Sequence, residues 1–181
     1  MKKLISVIFI IFLIQQTTAQ NYWQQEVNYK ITLRLDDVNH RIRAYEEFEY
    51  VNNSPDVLDK IYIHLWPNAY KNGETALGKQ QYQGGEMDLS FGPDSIKGWI
   101  DSLDFRSNNI PLKWELDKEH IDIAILHLPQ PLQPGSRIKI TTPFVVQIPS
   151  GSVSRLGHIG QSYQVTQWYP KPAVYDKNGW H

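Results

Sequence analysis

The sequence predicts an all-β domain, a curved saddle or sandwich of about seven or eight mainly antiparallel strands. Two features carry that expectation. Beyond residue 20 the apolar positions recur at every second residue, and the apolar runs are short, bounded by Asn, Asp, Gly and Pro. A helical period is nearly absent.

Val27, Tyr29, Ile31, Leu33 and Leu35 alternate with polar residues, giving a strand with one dry face. Asp36-Asp37-Val38-Asn39-His40 is a turn cluster, because Asp and Asn bond their own backbone and tolerate left-handed geometry. Ile42, Ala44, Phe48 and Tyr50 resume the alternation, so residues 27–51 read as a hairpin. A strand over 58–66 follows, with Ile61, Ile63 and Leu65 on one face and Tyr62, His64 and Trp66 on the other. From Pro67 to Gly98 the alternation stops. A structureless stretch of about 30 residues is uncommon in a compact domain and marks a functional or mobile loop, with a helical turn expected near Ala69–Leu77. Strands are expected again at Trp99–Phe105, Ile110–Leu116 and Ile121–Leu128. Pro129-Gln130-Pro131-Leu132-Gln133-Pro134-Gly135 should break the chain before a last long strand at Arg137–Ile148, bent at Pro143. No internal repeat and no second domain is visible.

Composition excludes several classes. The 181 residues carry 18 Lys and Arg against 19 Asp and Glu. A net charge of -1 supplies no basic field for a phosphate backbone, so no nucleic-acid partner is expected. Without cysteine there is no disulfide framework and no thiolate nucleophile or ligand. Residues 1–19 read as a secretory signal: Lys2 and Lys3, an apolar run from Leu4 to Ile14, then Thr17-Thr18-Ala19. That run is about 11 residues, well short of the roughly 20 needed to span a bilayer. The expectation is a secreted or periplasmic domain over residues 20–181, with no stable membrane span after cleavage.

Few residues form a recognisable site. The six histidines are scattered and no H-E-x-x-H, P-loop or G-x-S-x-G occurs, so no metal-binding or catalytic residue is assigned within this chain. Glu46, Glu47 and Glu49 read as a solvated strand face plus one paired acid. Trp114 alternates with Leu112 and Leu116 and reads as core, whereas Trp66 and Trp168 stand at strand ends where a sugar could stack. Gly157-His158-Ile159-Gly160 reads as a turn. Tyr163, Val165 and Gln167 share one strand face, which places an amide at the end of the dry side, aimed at a structural partner or at a ligand.

The run Thr166-Gln167-Trp168-Tyr169-Pro170-Lys171-Pro172-Ala173-Val174-Tyr175-Asp176, together with Leu65-Trp66-Pro67-Asn68-Ala69-Tyr70 and Ile148-Pro149-Ser150, resembles the N-terminal β-domain of the aminopeptidase N-like zinc metallopeptidases (gluzincin aminopeptidases) in their secreted bacterial form. The resemblance implies a β-saddle that packs on a thermolysin-like catalytic domain bearing H-E-x-x-H. That domain, the zinc it holds and the peptide substrate are the implied partners, and this chain, which ends on Gly179-Trp180-His181, is expected to be a fragment that binds no cofactor and is inactive alone. It also implies a substrate-binding role for Gln167, which matches the family glutamine that reaches the cleft near the substrate's first residue. The family often carries Gln or Glu two positions later; here Tyr169 stands in that place. The alternative expectation is a self-sufficient secreted β-sandwich module that binds a glycan or protein ligand through Trp66 or Trp168.

Overall fold

The structure, a computed structural model, describes residues 22–151 and 155–181. The expected signal segment lies outside the described residues. The fold is all-β and sandwich-like, built on two open antiparallel sheets.

The first sheet is organised by β1 (Glu26–Asp36), β2 (Arg41–Val51) and β9 (Arg137–Gln147). β2 is central and pairs along its whole length with β1 on one side and β9 on the other, without a slip. The free side of β9 takes β4 (Trp99–Asp101) at one end and the small β5 (Arg106–Ser107) and β6 (Ile110–Pro111) hairpin at the other. The second sheet has the order β12 (Lys171–Pro172), β3 (Leu58–His64), β8 (Ile123–Leu132) and β7 (Lys113–Leu116). Two further strand pairs are found among the described residues. β10 (Leu156–Ile159) and β11 (Ser162–Val165) form one hairpin, and β13 (Tyr175–Asp176) and β14 (Gly179–Trp180) form another.

The core follows from strand parity. Inward rows of the first sheet run Tyr29–Phe48–Ile140, Ile31–Glu46–Thr142 and Leu33–Ala44–Phe144. They meet Ile61, Ile63, Ala124 and Leu126 of the second sheet, all fully buried. Each large apolar side chain removed from water in this way contributes about 1.5–3 kcal/mol. Coverage is incomplete at one corner: Leu33 and Leu35, on the inward face of β1, keep 50% and 41% of their surface exposed.

Several expectations shift. The strand after Leu58 stops at His64, and Trp66 opens a short 3₁₀ turn, Trp66–Tyr70, with Pro67 in its first positions. The helix of the long loop lies later than expected, at α1 (Ala76–Gln83), because Thr75 caps it: its hydroxyl oxygen accepts from the Gly78 N–H at 3.0 Å. A second helical turn, Asp88–Phe91, follows. The strand at Trp99 ends at Asp101, where Ser102 takes a positive φ of 63°. Pro129 and Pro131 do not break β8. The register jumps between Lys60↔His127 and Leu58↔Leu132, and the prolines lie in that irregularity, where no ladder N–H is required. Pairing with β2 likewise runs unbroken through Pro143, opposite Tyr45. On its other side Pro143 falls between the β5 and β4 contacts, so its missing N–H costs no bond.

The acids of β2 reverse their expected roles. The outward Glu47 and Glu49 are the paired ones, with Lys139 and Arg137 at 3.1 Å each. Glu46, at even parity, is fully buried, and among the described residues neither carboxyl oxygen has a hydrogen-bond partner. Its surroundings include the phenols of Tyr29 and Tyr169, whose rings meet edge-on at 5.3 Å. Burial raises the carboxyl from 4.5 to about 8, so Glu46 is protonated at neutral pH. The sign for stability follows. Between about 4.5 and 8 the folded chain keeps a proton that the unfolded chain has released, so stability falls as pH rises through that window and levels off above it. The whole shift corresponds to on the order of 5 kcal/mol. Thermal melts at pH 5 and pH 8 should therefore show a steeper fall in Tm for the parent than for Glu46→Gln; parallel slopes would mean that Glu46 is not held protonated in the fold.

Candidate functional site

The expected site residue, Gln167, lines a cleft of about 640 Å3. One wall comes from the Trp66–Tyr70 turn and the base of the β10–β11 hairpin: Trp66, Ala69, Tyr70, Arg155 and Gln167. The other wall is the first helix and its exit, which present Gln80, Gln81 and Glu86 among others. The stretch from Pro67 to Gly98 therefore contributes to both walls of the cleft.

Each wall has a local cause. Asn68, itself buried, clamps the turn from both ends of its amide. Nδ2 donates to the Ile121 carbonyl at 3.0 Å, and Oδ1 accepts from the Ile100 N–H at 3.1 Å. The turn is thereby tied to both sheets. Trp66 stacks on His64, with ring centroids 4.8 Å apart and planes 7° from parallel, and the Lys171 ammonium stands 5.7 Å from the Trp66 ring centre. His64 serves this stack. Burial lowers its pKa, opposed by a hydrogen bond to the backbone of His181 and by the charge of Asp122. On the opposite wall, α1 lies close against the preceding loop because Gly78 has no side chain; a Cβ there would meet the Asn72 carbonyl oxygen at 2.4 Å.

The hairpin base is pinned at Arg155. Burial raises the phenol of the neighbouring Tyr70 above the ordinary value, opposed by the backbone of Leu156 and by the charge and backbone of Arg155. The Arg155 carbonyl accepts from the Thr166 N–H at 3.0 Å and from its hydroxyl at 2.6 Å. Arg155 Nη1 then donates to Gln167 Oε1 at 3.2 Å. At the far end of the same hairpin, the His40 and His158 rings stack with centroids 3.6 Å apart, and His40 Nδ1 lies 2.7 Å from the Tyr163 hydroxyl. The tip is thus held on the β1–β2 turn while the base presents Arg155 and Gln167.

The remaining sequence candidates separate. Trp168 does not offer a free face: it packs on Phe144 at 5.8 Å and on Tyr169 at 5.5 Å as part of the core. Trp114 meets Phe105 edge-on at 5.5 Å, in keeping with a core role. β11 ends at Val165, so Gln167 lies beyond the strand and leaves the dry face that Tyr163 and Val165 share. No group of three or more His, Asp or Glu side chains able to hold a metal ion gathers among the described residues. Sequence reading missed Arg155, Tyr70 and Glu86. The expected Gly157–Gly160 turn is instead mostly strand: residues 157–159 belong to β10 and pair with β11, the chain turns at Gly160-Gln161, and that register, with Leu156 opposite Val165, sets Arg155 against Thr166.

Replacing Asn68 by Ala orphans a buried N–H and a carbonyl. It should lower the free energy of unfolding in urea by about 2 kcal/mol, with Asn68→Asp intermediate, whereas a change below about 0.5 kcal/mol would show that the clamp does not hold the turn. A scan of the chain against protein-family models finds no match, and neither does a search of the curated proteins.

Proposed function

We propose that this chain is the non-catalytic N-terminal domain of a secreted zinc aminopeptidase-like protein, supporting a catalytic domain and lining its substrate cleft with Gln167. The observation that carries this reading is the position of Gln167, beyond the end of β11, in a cleft walled by Trp66, Tyr70 and the first helix. The motif run that resembles the family supports it from the sequence side. The partly open inward face of β1, at Leu33 and Leu35, is compatible with a domain that packs against another. In this reading the described residues hold no metal; a zinc ion held by the other domain would supply Lewis-acid chemistry for hydrolysis of the scissile bond. The residues of this chain bind and orient: Gln167 contacts the first residue of the peptide, Trp66 and Tyr70 supply an apolar floor, and α1 narrows the opening. The glycan-module reading is weaker, since Trp168 is packed away and the Trp66 ring is already stacked on His64.

The test uses the product of the whole gene. It should carry H-E-x-x-H downstream, bind zinc, and release N-terminal residues from peptides in a chelator-sensitive way. Gln167→Ala should lower kcat/KM by about tenfold, equivalent to about 1.4 kcal/mol of lost contact. A gene product without those ligands, or whose peptidase activity is untouched by Gln167→Ala, would contradict the proposal.

A further inference from the structure

The two walls of the cleft differ in charge and in hydrogen-bonding character. On the hairpin side stands Arg155, with Lys171 close by over the Trp66 ring. Among the described residues neither cation forms an ion pair with a carboxylate. Among the described residues Glu86 is the one acid lining the cleft, and it belongs to the opposite wall, after the first helix. An anion entering the cleft is therefore drawn to the hairpin side and repelled from the helix side.

The bond between Arg155 and Gln167 sharpens this. A glutamine can offer an acceptor or a pair of donors. Here Oε1 accepts from the Arg155 Nη1 proton at 3.2 Å, which sets the amide NH2 beside the guanidinium as a second group of donors. The guanidinium retains further N–H groups on its fork, and such a planar array suits the two oxygens of a carboxylate. The backbone that carries the guanidinium is fixed, since the Arg155 carbonyl accepts twice from Thr166, and the Arg155–Gln167 bond links the two side chains.

We propose that Arg155 and Gln167 together form a carboxylate-reading subsite, and that the ligands selected by this cleft are peptides whose residue next to Gln167 is Asp or Glu. The carboxylate lies against the guanidinium and the Gln167 NH2, and the aliphatic part of the residue lies toward Trp66 and Leu77. The proposal rests on the reading of the cleft as a peptide site, and goes beyond it by naming Arg155 as the residue that sets specificity.

The test is a titration of the isotope-labelled chain followed by NMR at the Gln167 side-chain NH2 and the Arg155 amide. The probes are the dipeptide amides Glu-Ala and Gln-Ala, which differ only in charge, and inorganic phosphate. Glu-Ala should bind about fivefold more tightly than Gln-Ala at low salt, the size expected of one partly exposed charge pair. Arg155→Gln should abolish that difference while leaving the β10–β11 resonances in place, because the side chain is exposed and the hairpin is held by its backbone. Equal affinity for the two peptides, discrimination that survives Arg155→Gln, or shifts produced equally by phosphate would each overturn the carboxylate-reading subsite while leaving the peptide cleft intact. If neither peptide perturbs the cleft, the peptide reading itself falls and takes this proposal with it.

Discussion

The structure depends on the register of β2 between its two neighbours. Every residue from Arg41 to Val51 has a partner on both sides, and the side-chain period of a strand is two. A shift of one position on either side would send Phe48 and Tyr50 outward and bring Glu47 and Glu49 into the core. The salt bridges of those two acids with Lys139 and Arg137 lie across the β2–β9 pairing on the outer face, so they support the same register. Glu46 is an acid that parity places inward, beside the buried Thr142 of β9. It stays inside because rows of buried side chains on both sides of it outweigh one neutral carboxyl without a partner.

The second sheet is joined to this frame by the final stretch of chain. From Trp168 onward it crosses the sandwich. Trp168 lies on Phe144, Tyr169 meets Tyr29, β12 adds to the edge of β3, and Trp180 lies near both Tyr50 and Tyr62. The residues that present Gln167 are thus anchored on either side, by the stacked His40 and His158 rings before it and by this aromatic strap after it. Fold and cleft are for that reason one construction: the strap that closes the core also sets the amide at its mouth.

Much of the frame was legible because it rests on local alternation. The β1–β2 hairpin, the dry face of Ile61 and Ile63, and the core role of Trp114 all follow from period two. What escaped has physical reasons. The first helix carries Lys79-Gln80-Gln81 and only one buried residue, Gly78, so no apolar stripe announced it; the usable sign was Thr75 as a cap. Pro129 and Pro131 read as breakers because a register irregularity opposite β3 cannot be seen from one strand alone. Glu46 read as one of a group of acids, since alternation assigns it inward yet offers no cue that it lacks a partner. Gln167 was visible as a polar residue in an aromatic run. Its companion Arg155 becomes visible only when the hairpin is folded across its glycine turn.

The proposed role of the cleft between the Trp66–Tyr70 turn and the first helix is to receive the amino-terminal end of a peptide. Photo-crosslinking addresses this most directly, using a short peptide with benzoylphenylalanine as its first residue and mapping adducts by mass spectrometry. Adducts on Trp66, Tyr70 or Gln167 are expected. Adducts confined to the outer side of the helical segment, at Tyr82 or Phe91, would contradict that role.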